Sequence, residues 1–216
     1  MNTNKSSLIF QSLFLAITGF GCAVGAQAAT DNGWYLGAGV GRSDARDLSG
    51  IDPTLAGYGI TSSSTFGDNA TAWKLFGGYQ VNKYFGVEGG YADLGRYSVN
   101  SNVTAPGAGP GAGTWEADNV WSLAAVGYLP IQDRFSAFGK VGLAYPKVEF
   151  NYSAPGASVS ASNSSTSPLY GVGLKYDLTN NASVRGEFER YQNLGAGSTT
   201  AQSSVNVWTV GMQYRF

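Results

Sequence analysis

The stretch that most constrains this chain is 204–216, SVNVWTVGMQYRF. Successive side chains of a strand point to opposite faces, so the stretch divides into two sets. Trp208, Val210, Met212, Tyr214 and Phe216 form one set, all apolar or aromatic; Val207, Thr209, Gly211, Gln213 and Arg215 form the other, mostly small or polar. A water-soluble sheet with its apolar side on a core shows the same alternation. Two details point elsewhere. Aromatic residues stand at both ends of the apolar side, as on an outward face with interfacial girdles. The sequence also ends on Phe216, with no polar tail after the strand. Such an ending carries weight only if the rest of the chain supplies matching strands.

Composition is compatible with that. Charged residues make up 12% of the 216 positions, where a soluble domain has about twice as many. Aromatics reach 13%, and the 31 glycines lie mostly within or between apolar stretches. The net charge of −1 gives no sign of a nucleic-acid or anionic-surface partner. Histidine, the commonest metal ligand and general base, is missing altogether. Cys22 is the single cysteine, so no intrachain disulfide can form. No cofactor, metal site or phosphate loop is expected; G-x-G-x-x-G matches arise by chance in so glycine-rich a chain, and none opens a helix.

The first thirty residues read as an export signal. Lys5 supplies a positive start, 8–24 is largely apolar, and Ala26-Gln27-Ala28 offers small residues to a signal peptidase, placing cleavage after Ala28. The expected division is therefore a signal peptide at 1–28 and one barrel domain at 29–216. The rival, an uncleaved anchor helix, is weakened by Gln11, Ser12, Thr18 and several glycines. A lipid-modified Cys22 would want a Leu three positions earlier, where Gly19 stands. With cleavage after Ala28 the mature chain has no cysteine, which suits an oxidising compartment.

Beyond the signal no apolar run is long enough for a transmembrane helix. The chain instead offers strand-like segments at about 33–42, 71–81, 84–97, 115–129, 135–149, 168–177, 182–192 and 204–216. The connections between them alternate long and short. Asn82-Lys83, Pro130 to Arg134 and Thr179-Asn180-Asn181 make the tight ones; 43–70, 98–114, 151–167 and 193–203 make the long ones. The long stretches are rich in Gly, Pro, Ser, Ala and Asn and read as irregular solvated loops; APGAGPGAG within 98–114 reads as neither helix nor central strand. Both faces of 115–129 are fairly apolar, so alternation leaves its register open. Eight strands with alternating connections predict an all-β fold, an eight-stranded antiparallel up-and-down transmembrane β-barrel preceded by a signal peptide.

In that fold the charges go inside. Lys74, Glu88, Lys140, Lys175, Arg185, Glu187, Glu189 and Arg215 all fall on the face opposite the aromatic one. A soluble protein would turn the same face to water, and periodicity alone does not decide between the two. An eight-stranded barrel has a bore that side chains just fill, so buried charges must pair there. The set contains both signs and predicts a structural ion network in the lumen rather than a catalytic site. Lipid then surrounds the aromatic face, and closure removes every open edge within the membrane.

The segments GWYLGAGVGRS at 33–43, WKLFGGYQVNKYFGVEGGYADLG at 73–95, FSAFGKVGLAY at 135–145, YGVGLKYDLTNNASVRGEFERYQNLG at 170–195 and WTVGMQYRF at 208–216 together resemble the OmpA-like transmembrane β-barrel family, close to its small barrel-only proteins. The likeness covers about 30–216. It implies an integral protein of the bacterial outer membrane, in contact with outer-membrane lipid and lipopolysaccharide. It also implies folding by the barrel-assembly machinery, with Trp208, Tyr214 and Phe216 as the assembly signal. OmpA itself continues into a peptidoglycan-binding domain; this sequence ends at the barrel, so anchoring is not implied. The expected work is envelope integrity and presentation of the long loops to an extracellular partner. A small pore or conduit for small or hydrophobic solutes stays open as an alternative, since Gly37, Gly39, Gly41, Gly171 and Gly173 could leave space in the lumen. Barrel enzymes that deacylate lipid A or cut proteins use histidine, and no serine here sits in a G-x-S-x-G context, so no catalytic residue is expected. Glu187 and Glu189 could imitate a carboxylate pair, but Arg185 beside them favours an ion network.

Overall fold

The computed structural model describes residues 32–45, 51–67, 69–105, 107–194 and 203–216, without the side chains of Ile51 and Phe66. The export signal at 1–28 and most of the stretch at 193–203 lie outside the described residues. The elements are β1 (Gly33–Ala45), a short helix α1 (Ile51–Gly57), β2 (Thr61–Phe66), β3 (Asn69–Gln80), β4 (Phe85–Asp93), β5 (Arg96–Ala105), β6 (Gly109–Gln132), β7 (Phe135–Ala154), β8 (Ala157–Ser164), β9 (Ser167–Asp177), β10 (Ala182–Leu194) and β11 (Ser203–Arg215). One sheet contains all the strands, in the order β2-β5-β6-β4-β3-β1-β11-β10-β9-β7-β8. A further pairing of β6 with β7 closes it into a ring of 8 strands, and β2, β5 and β8 stand outside that ring. Every pairing is antiparallel. Among the described residues no helix is long and apolar enough to cross a membrane; the wall crosses with strands.

The outer surface carries a band of exposed apolar side chains that water would not tolerate, among them Leu36, Leu75, Leu123, Val141, Leu143, Val172 and Val210. Aromatic residues bound the band above and below. Trp34 lies 5.1 Å from Tyr79 near the short turns, with Tyr214 and Phe216 5.3 Å apart at the same end. At the other end Trp73, Tyr91 and Trp121 follow one another at 5.6 and 4.9 Å, and Phe188 packs 4.6 Å from Trp208. These are the two interfacial girdles of a transmembrane barrel.

Beyond the upper girdle the wall does not stop, and here the expected loops are corrected. The stretches 43–70, 98–114 and 151–167 are mostly strands and one helix. They form a five-strand flank, β2-β5-β6-β7-β8, that rises as a turret. Its inside is apolar: Leu55, Ile60, Tyr97, Val99, Val103, Trp115, Val148, Phe150 and Tyr152 are fully buried in one cluster. Along β7 the outward side chains read Val141, Leu143, Tyr145, then Lys147, Glu149, Asn151 and Ser153. The inward ones read Phe138, Lys140, Gly142, Ala144, then Pro146, Val148, Phe150 and Tyr152. Polarity therefore inverts at the girdle, oily outside below it and oily inside above it.

β6 makes the same inversion with a bulge. Its pairing with β7 slips between Asp118 and Trp121, and Asn119 adopts a left-handed φ of 49°. Trp115 and Ala117 thus point inward while Trp121 and Leu123 point out, although all four have odd numbers. That slip is why both faces of 115–129 read as apolar. APGAGPGAG is likewise corrected: 109–113 is strand, and β6 becomes central once β7 joins β5 at Ala112. Glycine is needed there because a Cβ on Gly111 or Gly113 would run into Tyr152.

Candidate functional site

The chemistry of the barrel is concentrated in its bore, at the height of the apolar band. Three neighbouring inward positions of β10 bring Arg185, Glu187 and Glu189; β3 brings Lys74, β4 Glu88 and β7 Lys140, all of them buried. Gly37, Gly39 and Gly41 of β1, Gly171 and Gly173 of β9 and Gly211 of β11 occupy inward positions, which leaves room for these long side chains to cross the bore.

Every charge in the group meets its opposite. Lys74 donates to Glu187 and, at 2.8 Å, to Glu189. Lys140 donates to Glu88 at 2.9 Å and to Glu189 at 2.7 Å, and also contacts Glu187. Arg185 donates to Glu88 at 2.6 Å and lies 3.3 Å from Glu187. Glu88 accepts a further bond from the Tyr35 hydroxyl at 3.0 Å. Lys74, Lys140 and Arg185 balance Glu88, Glu187 and Glu189, so the group is formally neutral. Neutral, mutually bonded charges are the form in which a low-dielectric interior tolerates ions.

Arg185 also lies between two rings. Its guanidinium carbon is 4.4 Å from the centre of Phe76 and 4.3 Å from that of Phe138. Each ring backs onto a glycine. A Cβ on Gly37 would strike Phe76, and a Cβ on Gly173 would strike Phe138. Glycine, ring, guanidinium, ring and glycine thus follow one another from β1 to β9 across the bore. Tyr35 and Tyr128 lie on its lower side, with Tyr128 3.4 Å from the Tyr35 hydroxyl.

Two of the residues expected in the network stand apart from it. Lys175 is buried but pairs with Asp177 at 3.2 Å and faces the Tyr128 ring, one storey nearer the short turns. Arg215 sits at the rim and donates to the Asn180 carbonyl at 3.0 Å. Trp208, Tyr214 and Phe216 are exposed on the outer face. Sequence reasoning missed the part played by Tyr35, Phe76 and Phe138. Its available signal was that bulky rings shared the inward face with glycines on other strands. Among the described residues no grouping of His, Cys, Asp and Glu could hold a metal ion.

With this geometry in place, the comparisons are specific. The family model described as the OmpA-like transmembrane domain matches residues 29–216. Outer membrane protein A of Serratia marcescens is 34% identical over 209 residues, which is 95% of this chain and 55% of that protein. Its counterpart in Salmonella typhi is 33% identical over 208 residues, 95% of this chain and 54% of that protein. The chain therefore spans about half the length of the curated relatives it matches. Among solved structures, Neisserial surface protein A superposes with a TM-score of 0.51 over 85% of this chain and 97% of that one, at 12% identity. The N-terminal β-barrel domain of Pseudomonas aeruginosa OprF gives 0.50 over 87% and 98%, at 13% identity. Identities this low speak for the fold alone.

Proposed function

The chain belongs to the family of OmpA-like transmembrane domains and is an integral β-barrel of the bacterial outer membrane; from that premise we propose that it is a sealed, non-catalytic barrel, structural in the membrane and presenting its turret to the outside. The observation that carries this reading is the stack across the bore, Phe76–Arg185–Phe138, seated on Gly37 and Gly173. Those glycines receive rings instead of leaving a passage, which counts against the pore. The ion network acts as the electrostatic half of the same seal. A non-catalytic role is supported by the lack of histidine and by cations held against every carboxylate of the network.

Residues 1–28 serve as the export signal, cut after Ala28, and Edman sequencing of the mature protein should begin at Ala29. Outward Trp208 and Tyr214 on β11, the strand that closes against β1, together with exposed Phe216 beside Tyr214, are the surface offered to the assembly machinery. Lipid and lipopolysaccharide surround the band, and an extracellular partner would meet the turret. The seal is tested in planar bilayers. Refolded protein should show no conductance steps in 1 M potassium chloride; regular steps from correctly folded, heat-modifiable protein would refute it.

A further inference from the structure

Just above the upper girdle the outer face of the wall does not carry its charge evenly. From β4 to β7 the carboxylates of Asp93, Glu116, Asp118 and Glu149 outnumber the cations, and the cations are matched: Arg96 pairs with Glu116 at 2.8 Å and Lys147 with Glu149. Across the ring, where β10, β11 and β1 run side by side, two arginines face outward. Arg42 of β1 is exposed and stands opposite Trp208 of β11. Arg190 of β10 is half-buried and stands opposite Asn206, one outward position above Trp208. Among the described residues neither arginine forms an ion pair.

Their donors are partly held in place. Arg190 Nη1 donates to Asn206 Oδ1 at 3.2 Å, which orients the guanidinium, and Arg190 Nε is buried without an acceptor. A buried N–H with no acceptor is costly, so it points to an acceptor from outside the chain. A guanidinium can donate only to the oxygen of an amide, so Asn206 keeps its NH2 as a further donor. Asp44, opposite Asn206 on β1, is the one carboxylate on the outer face of these three strands among the described residues, and it is already engaged. Three adjacent strands thus offer nitrogen donors and a surplus of positive charge.

We propose that Arg42, Asn206 and Arg190 bind a phosphate group of lipid A, the phosphorylated glycolipid end of lipopolysaccharide; the site rests on the reading of the chain as an outer-membrane barrel with its turret outside. The occupant must bring negative charge and several acceptor oxygens, and a phosphate matches the guanidinium fork with both. Two strand spacings of about 4.8 Å across and two residues of about 3.3 Å along set the arginine Cα atoms about 12 Å apart. Two such long side chains leaning together close that gap over Asn206. Height makes the occupant a lipid. Directly below the arginines lie the Phe188 and Trp208 rings, 4.6 Å apart, and below them Val210 of the apolar band. A molecule with its phosphate at the arginines therefore lays its acyl chains along the band. The site faces the outer leaflet, where lipopolysaccharide supplies such a phosphate.

The test uses the full mature chain refolded in a neutral detergent, with lipid binding read by native mass spectrometry. Diphosphoryl lipid A should bind at least about tenfold more tightly than the same lipid A stripped of both phosphates, and than phosphatidylglycerol. Arg42→Gln combined with Arg190→Gln should lose about tenfold or more in affinity for diphosphoryl lipid A and leave that for the stripped form unchanged. Arg42→Gln alone, at an exposed position, should lose about threefold or more and serves where the double variant does not fold. Lys147→Gln removes a cation already paired with Glu149 and should change affinity by less than about twofold. Heat-modifiable gel migration verifies that each variant is folded. The proposal falls if removing the phosphates makes no difference, if phosphatidylglycerol binds as tightly, if the arginine variants bind like wild type, or if Lys147→Gln weakens binding as much as they do. Conductance of the wild-type barrel would sink the sealed-barrel reading and leave this site standing, so the two fail separately.

Discussion

Arg185→Ala removes the middle of the stack and one cation of a balanced group. Glu88 then loses its 2.6 Å partner and keeps Lys140 at 2.9 Å and the Tyr35 hydroxyl at 3.0 Å. Three carboxylates would face two ammonium groups, with Phe76 and Phe138 bordering a void in place of a guanidinium. Breaking a buried ion pair on one side costs about 3–5 kcal/mol, because the orphaned charge stays desolvated. Arg185→Lys keeps the charge but loses the planar contact with both rings, and should cost about 1–2 kcal/mol. The decisive variant is Arg185→Leu combined with Glu88→Gln. It restores neutrality and fills part of the void, so it should be more stable than Arg185→Leu alone by at least about 1 kcal/mol. Urea unfolding of the barrel in lipid vesicles, read by tryptophan fluorescence and by heat-modifiable migration, measures all of these. An Arg185→Ala midpoint equal to wild type, or a double variant no better than Arg185→Leu, would refute the account of the network as a mutually dependent group.

Three other expectations follow from the same geometry. Val141, 66% exposed on the lipid face, should cost about 2–4 kcal/mol as Val141→Lys, while Asn151→Lys on the same strand above the girdle should fold like wild type; urea midpoints compare them. Gly173→Val drives a side chain into Phe138 and should cost about 1–3 kcal/mol, whereas Gly127→Val, with open space around its Cβ position, should be near neutral in the same measurement. Burial in the turret pushes the Tyr97 phenol above its ordinary range. A group that ionises near pH 10 when unfolded but stays protonated when folded adds stability that is intact below pH 10 and lost as pH rises beyond it. Turret unfolding, read by Trp115 fluorescence, should therefore worsen above about pH 10 in wild type and less so in Tyr97→Phe.

The alternation of side chains was enough to divide the membrane-level wall into its two faces. Trp73, Leu75 and Tyr79 opposed Lys74 and Phe76 in the sequence as they do in the barrel. Alternation gives the side on which a residue lies but not its height along the axis. Lys175 and Arg215 consequently shared a face with Arg185 without reaching the network. The turret was misread for a different reason. Serine, glycine and proline read as loop signals, although Val148, Phe150 and Tyr152 alternate with Lys147, Glu149 and Asn151. The expected strand 135–149 already holds Val148 between Lys147 and Glu149, and the same alternation carried through Phe150, Asn151 and Tyr152 marks the inversion. The bulge at Asn119 was harder to find, since one inserted residue changes the parity of everything before it.

The reversal between Tyr145 and Lys147 also sets a waterline. If the protein sank by one pair of residues, Lys147 and Glu149 would enter hydrocarbon; if it floated up by the same amount, Leu143 would meet water. Either displacement is opposed on β7 alone, and β6 repeats the constraint with Glu116 above Trp121 and Leu123. The bilayer must therefore accommodate the barrel, thinning or thickening around it, because the barrel has a fixed draught.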